Sequence, residues 1–329
     1  MSELTYLEAI RDGIREVMKE DKTVFLMGED IGLYGGSFSL TNGLFAEFGE
    51  ERVRDTPISE AAIIGASVGA AVTGMRPILE IMFSDFIGCG MDQLYNQAAK
   101  IRYMFGGKAK VPMVLRTASC GGAGFGPHHS QSLEAIFAHV PGLKVVMPAT
   151  PYDAKGLLIS SVRDDNPVVF LEHKVLYKNK KYAQEVPEGI YTVPLGKAEV
   201  KRQGNDITIV ASSYMVQKSL EAAEELAKEG IDCEVVDLRT IRPLDMDTVM
   251  ASIEKTGKLL CVEEACSFGS FMGEVITQAI EKGFDYLDAP PLRVAGKNCP
   301  VPYSYILEQE MIPSVAKIKD GILKVLGKN

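Results

Sequence analysis

Apolar positions along the chain follow two periods. Tyr6–Glu20 places Leu7, Ile10, Ile14, Val17 and Met18 at helical spacing. Residues 23–27 form a short apolar run that predicts a strand, and 28–32 a loop. Between 55 and 86 the pattern changes. After the turn Asp55-Thr56-Pro57, the run from Ala61 to Val72 carries no charge. A helix without a polar face is predicted to be buried, with Ser59 as its N-cap. Gly65, Gly69 and Gly74 leave one side smooth. A helical glycine costs about 1 kcal/mol of propensity, so close approach of another backbone is the expected compensation. Residues 78–83 then predict a buried strand.

Further on, 91–105 predicts a helix with Leu94, Ala98, Ile101 and Phe105 on one face, and 35–48 shows no period. Strands are predicted at 111–116, 144–147 and 168–172, a helix at 152–163, and a loop at 119–130. Residues 178–205 are rich in charge, proline and glycine and predict a connection, the alternative being a β-excursion within one domain. Strands at 207–211, 233–237, 259–263 and 292–295 then alternate with helices at 216–229, 246–256, 271–282 and 314–326. The fold class is α/β: two open, mostly parallel domains, 1–178 and 206–329, joined by a linker at 179–205. Ligand sites in such sheets lie at the carboxyl ends of the strands.

Composition narrows the function. In 329 residues, 35 Lys+Arg stand against 44 Asp+Glu, a net charge of −9. That balance argues against a nucleic-acid surface. The six cysteines form no CxxC pair and no histidine stands at ligand spacing from them, so reduced thiols and a cytoplasmic setting are expected. The N-terminal helix is too acidic for a transit peptide, and no apolar run reaches membrane-spanning length.

Two residues stand out chemically. Glu60 is a carboxylate at the mouth of an otherwise uncharged helix. It reads either as a solvated first-turn acid favoured by the helix dipole or as a buried carboxylate with a tuned pKa. His129 lies in a glycine-rich loop, where a lone histidine is often structural. The run 121–126 leads into Pro127-His128-His129 rather than into a helix, which argues against a phosphate loop. No Gly-Asp-Gly and no GxxxxGK[ST] occurs.

The order of Glu60, Gly65 and Gly69 resembles the pyrimidine-binding half of thiamine diphosphate enzymes. NQAAKIRYMFGGKAKVPMVLR, PATPYDAKGLL, HKVLY and EVVDLRTIRPLD resemble the β subunits of the dehydrogenase component of 2-oxo acid and acetoin dehydrogenase complexes, over nearly the whole chain. The resemblance implies a pyrimidine-binding domain followed by a transketolase C-terminal-like domain. It implies that Glu60 hydrogen-bonds the pyrimidine and favours its imino tautomer, that Phe86 stacks on the ring, and that Met82 adds an apolar contact. His129, followed by Ser130-Gln131, would be the catalytic histidine of the substrate step and of transfer to lipoamide. His128 departs from the family pattern. A potassium site is implied at Met113, Ser161, Val162, Asp164 and Asn166, through carbonyls at a helix end.

An α subunit is expected to hold Mg2+ and the diphosphate, in an assembly of two α and two β chains served by a lipoyl-bearing acyltransferase. The block at 96–109 leans towards acetoin as substrate, whereas 263–274 and 289–308 lean towards pyruvate; a branched-chain 2-oxo acid is the further alternative. A non-catalytic scaffold and a self-contained transketolase-type enzyme are the rivals. Intact Glu60, Phe86 and His129 oppose the first, and the missing Gly-Asp-Gly opposes the second.

Overall fold

Thr5 starts the first helix in the computed structural model, which describes residues 1–328. Its side chain caps Tyr6–Glu20 by accepting from the Glu8 amide, and Glu8 reaches back to the Thr5 amide at 2.9 Å. This reciprocal capping box satisfies two otherwise orphaned donors. The helix buries Leu7, Ile10, Ile14, Val17 and Met18, the face its periodicity marks.

The chain divides into two compact units. Met1–Ser119 with Ile136–Leu195 forms the first; Cys120–Ala135 with the chain from Gly196 onward forms the second. The loop 120–135 thus belongs with the C-terminal half. The stretch expected as a connection contributes a strand to each unit. Gln184–Val186 pairs antiparallel with Ser2–Leu4, and Glu199–Arg202 pairs antiparallel with Cys233–Asp237.

In the first unit, parallel strands lie in the order Lys144–Val146, Val168–His173, Val114–Ser119, Arg76–Ile81, Val24–Gly28, Val53–Asp55. From Val24–Gly28 the chain first moves outward to Val53–Asp55. It then crosses back to Arg76–Ile81 and builds the other half. The strand order therefore reverses between Val24–Gly28 and Arg76–Ile81. In the second unit the order is Leu292–Gly296, Leu259–Cys266, Ile207–Ala211, Cys233–Asp237 and the antiparallel edge Glu199–Arg202. The inner strands of both sheets are almost wholly buried, as sheets covered on both faces require, whereas Val53–Asp55, Glu199–Arg202 and Leu292–Gly296 at the edges are partly exposed.

The central helix, Glu60–Val72, differs from its predicted form. Ser59 occupies the N-cap position, but its side chain makes no capping bond. Ile63, Ile64, Ser67, Val68 and Ala71 are buried, whereas Ala61, Ala62, Ala66, Gly69 and Val72 are exposed. A helix apolar all round is thus covered on one side only within this chain. The close approach comes from a glycine outside the helix. A Cβ on Gly90 would lie 3.0 Å from the Glu60 carbonyl oxygen and 2.6 Å from Ile64 Cδ1.

The predicted helix 91–105 contains a π-helical turn, Gln93–Ala98, before Ala99–Met104. The wider turn shifts the periodicity, so Leu94, Ala98 and Ala99 are buried while Phe105 is 60% exposed. Three short helices, Leu44–Phe48, Glu134–Ala138 and Tyr305–Met311, arise where no helix was expected. No described helix is long and apolar enough to cross a membrane.

Candidate functional site

The reversal of strand order in the first unit marks the crevice where open α/β sheets bind ligands. Three segments leave the sheet there. Glu29 follows the end of Val24–Gly28. Met82, Phe83 and Phe86 follow the end of Arg76–Ile81. Glu60 opens the helix that follows Val53–Asp55. The last strand end is fixed by two bonds: the Thr56 amide donates to the Gly28 carbonyl at 2.9 Å, and the Gly32 amide to Asp55 Oδ1 at 2.7 Å.

Glu60, Met82 and Phe86 are all half-buried. Phe86 sits in the short turn Ser84–Gly90, one step beyond the strand end, and that turn rests on the Glu60 turn through Gly90. Burial, aided by the charges of Glu60 and Asp30, holds the Glu29 carboxyl above the usual carboxylate range. Glu60 thus lies near enough to Glu29 for its charge to act on that carboxyl. Thr56 Oγ1, four residues before Glu60, is buried without a hydrogen-bond partner. A half-buried acid, a half-buried aromatic and an apolar Met82 fit a flat heteroaromatic ring with polar edges.

Beneath this crevice lies a buried ion cluster that the sequence analysis passed over. Arg116, 1% exposed, reaches Glu80 Oε2 at 2.6 Å and Glu172 at 2.7 Å, and the Tyr177 phenol donates to Glu172 Oε2 at 2.6 Å. Opposing charges hold the guanidinium firmly protonated despite its burial. Phe38 packs on Tyr177 and meets Phe83 edge-on, and Lys174 Nζ lies 5.3 Å over the Phe83 ring. The signal was legible: each of three apolar strands carries one charged residue near its carboxyl end, in the register that puts all three on one face of the sheet.

The segment expected to hold potassium ends the helix Pro151–Arg163. Its carbonyls are not free. Arg76 Nη1 donates to the Val162 and Asp164 carbonyls at 2.7 and 3.1 Å, and the Asp164 amide donates to that of Ser161. Met113 O accepts from the Val168 amide, and Asn166 Oδ1 accepts from Arg102. A potassium ion here would share the Val162 and Asp164 oxygens with the Arg76 guanidinium.

His129 lies in the second unit, half-buried, next to exposed His128. Its loop alternates in hand: Cys120, Gly122, Gly124 and Gly126 all have positive φ. Such alternation turns successive amides to one side, a concavity that attracts anions. The loop lines a cavity of about 490 Å³ with Glu264 and Cys266 at the end of Leu259–Cys266 and with Asn298, Cys299 and Glu308.

Comparison with known proteins gives the family. Residues 2–180 match the family described as transketolase, pyrimidine binding domain, and residues 196–318 match transketolase, C-terminal domain. The β subunit of acetoin:2,6-dichlorophenolindophenol oxidoreductase from Bacillus subtilis is 46% identical, over 98% of this chain and 96% of its own. The pyruvate dehydrogenase E1 component subunit beta of the same organism is 45% identical over 99% of each chain. A solved structure titled split gene transketolase, inactive beta4 tetramer, has a TM-score of 0.78 over 99% of each chain at 21% identity, a likeness of fold. The chain therefore belongs to the transketolase-like, thiamine diphosphate-dependent family that contains the β subunits of acetoin dehydrogenase and pyruvate dehydrogenase.

Proposed function

We propose that this chain is the β subunit of a thiamine diphosphate-dependent acetoin dehydrogenase. It cleaves acetoin and passes the acetyl unit to lipoamide on an acyltransferase. The observation that carries the reading is Glu60 at the reversal of strand order, near Glu29 and resting against the turn that bears Phe86. When bound, the cofactor would supply a carbon nucleophile. Glu60 shares a proton with the pyrimidine ring nitrogen. Glu29, held above the usual carboxylate range, retains a proton beside it to higher pH than a solvated carboxyl does. Phe86 and Met82 give the ring an apolar seat and exclude water, which strengthens proton sharing at Glu60. His129 moves protons at the substrate oxygen and in the handover to lipoamide.

The diphosphate and its Mg2+ fall to an α subunit, since hard oxygen ligands in a Gly-Asp-Gly setting do not occur in this sequence. Two α and two β chains make up the working assembly. Pyruvate, or a branched-chain 2-oxo acid, is the second reading of the substrate. Identities of 46% and 45% to the acetoin and pyruvate relatives do not separate the two. A potassium ion at Met113, Ser161, Val162, Asp164 and Asn166 is not required by this mechanism.

Glu60→Gln keeps the shape of the side chain and removes its proton chemistry. Assembled with the α chain, it is expected to lose activity about 10²-fold or more, the range for a lost acid–base group, with an unchanged circular dichroism spectrum. Near-normal turnover would overturn the assignment. Assaying the wild-type assembly on acetoin, pyruvate and branched-chain 2-oxo acids side by side decides the substrate.

A further inference from the structure

We infer that Glu308, assisted by Glu264, positions His129 by filling the concavity of the glycine-rich loop that carries it. Glu308 is 0% exposed, yet both of its oxygens are used. Oε1 accepts from the Gly122 amide at 2.9 Å and Oε2 from the Gly124 amide at 2.7 Å. Glu264 Oε1 accepts from the Gly121 amide at 2.5 Å. Two carboxylates thus capture three amides of one short stretch. The concavity that would suit a phosphate is already occupied by the chain's own anions.

The glycines are necessary to this arrangement. A Cβ on Gly121 would lie 3.2 Å from Glu308 Oε1 and 3.3 Å from Glu264 Oε1. Gly122 and Gly124 have φ of +90° and +75°, which side chains rarely adopt. On the far side, a Cβ on Gly126 would meet the Tyr303 ring at 2.7 Å. The His129 amide then donates to the Gly126 carbonyl at 3.4 Å, closing the turn that presents the imidazole. Glu308 and Tyr303 stand at opposite ends of one short stretch, so the helix Tyr305–Met311 and the residues before it grip the loop at both ends. Charge-assisted bonds from amides to carboxylates are roughly twice as strong as neutral ones. A buried carboxylate is therefore a stiff anchor for backbone that glycine would otherwise leave loose. Glu308 touches no reacting atom; it is a positioning residue.

This inference rests on the reading of His129 as a catalytic group. The test uses the complete assembly with Glu308→Gln, His129→Ala and the double variant. Glutamine keeps one acceptor and turns a donor towards the other amide. Glu308→Gln is expected to lower kcat with lipoamide about 10²-fold, the cost of misplacing a catalytic group by about 1 Å. KM for thiamine diphosphate should stay unchanged. A dye-linked assay that bypasses lipoamide should fall less. Hydrogen exchange at the Gly122 and Gly124 amides should quicken. The double variant should be no slower than His129→Ala alone, because one group acts through the other. Should Glu308→Gln fail to assemble, Glu308→Asp carries the same comparison, since it keeps the charge and shortens the reach. Additive losses, or a fall equal in both assays, would make Glu308 structural only and overturn the inference. A silent His129→Ala would instead overturn the reading on which it rests.

Discussion

Glu308 and Glu134 are buried carboxyl groups of the same unit with opposite surroundings. Glu308 has an amide on each oxygen, whereas Glu134 Oε2 has no partner. Burial pushes the Glu134 carboxyl up to about 8, and the nearby carboxylates of Glu263 and Glu264 add to it. Between about 4.5, the unfolded value, and about 8, the folded chain holds a proton that the unfolded chain has released. This contribution to stability is complete below the lower value and is lost as pH rises through the upper one. Glu134→Gln is neutral at every pH and so lacks the dependence. Melting temperatures of the two proteins should move apart steadily from pH 5 to pH 8, with the variant gaining on the wild type. Parallel curves over that range would show that Glu134 does not hold its proton.

Among the elements, the three strands that share Glu80, Arg116 and Glu172 show what a sequence does and does not disclose. Continuous apolar runs and helical spacing give the bounds of Tyr6–Glu20, Ile207–Ala211, Cys233–Asp237 and Met246–Thr256 without error, because burial on a fixed face imposes the period. Tyr305–Met311 was missed because only Glu308 and Met311 of it are buried, so it has no inward stripe to detect. The π-turn at Gln93–Ala98 was missed because it breaks the period it would be detected by. Glu60, Met82 and Phe86 could be singled out by motif, but Glu29, Glu264 and Glu308 act through partners remote in sequence.

The buried ion cluster of Glu80, Arg116 and Glu172 bears on stability. Removing one member of a buried pair leaves a bare charge and costs about 3–5 kcal/mol, whereas neutralising the whole group can cost little. Arg116→Met should therefore lower the urea midpoint strongly. The triple variant Glu80→Gln, Arg116→Met, Glu172→Gln should recover most of the loss. A single variant as stable as wild type would mean that the carboxyls take up protons and that the cluster contributes no net stability.

Each unit leaves large apolar side chains in water. Leu33, Tyr34, Ile58, Tyr103 and Met104 are exposed in the first, and Phe268, Tyr303, Tyr305 and Ile306 in the second. Single exposed apolar residues are ordinary, but neighbouring ones mark surfaces that a partner covers. The uncovered side of Glu60–Val72, with Ala61, Ala62, Ala66, Gly69 and Val72, is a surface of the same kind: beyond Glu60 the helix carries no charge and is not built for water on one face. Under the proposed function the α chain and a second β chain provide the cover, and the α chain brings the diphosphate anchor. The chain purified alone, with thiamine diphosphate and Mg2+ added, should then show no turnover of acetoin or pyruvate. Light scattering should report concentration-dependent self-association. Co-expression with an α chain should give a defined particle of two α and two β chains and restore activity. Robust turnover by the chain alone, or a monomer that stays dispersed at high concentration, would show that the exposed surfaces need no partner and would remove the basis for a site shared between subunits.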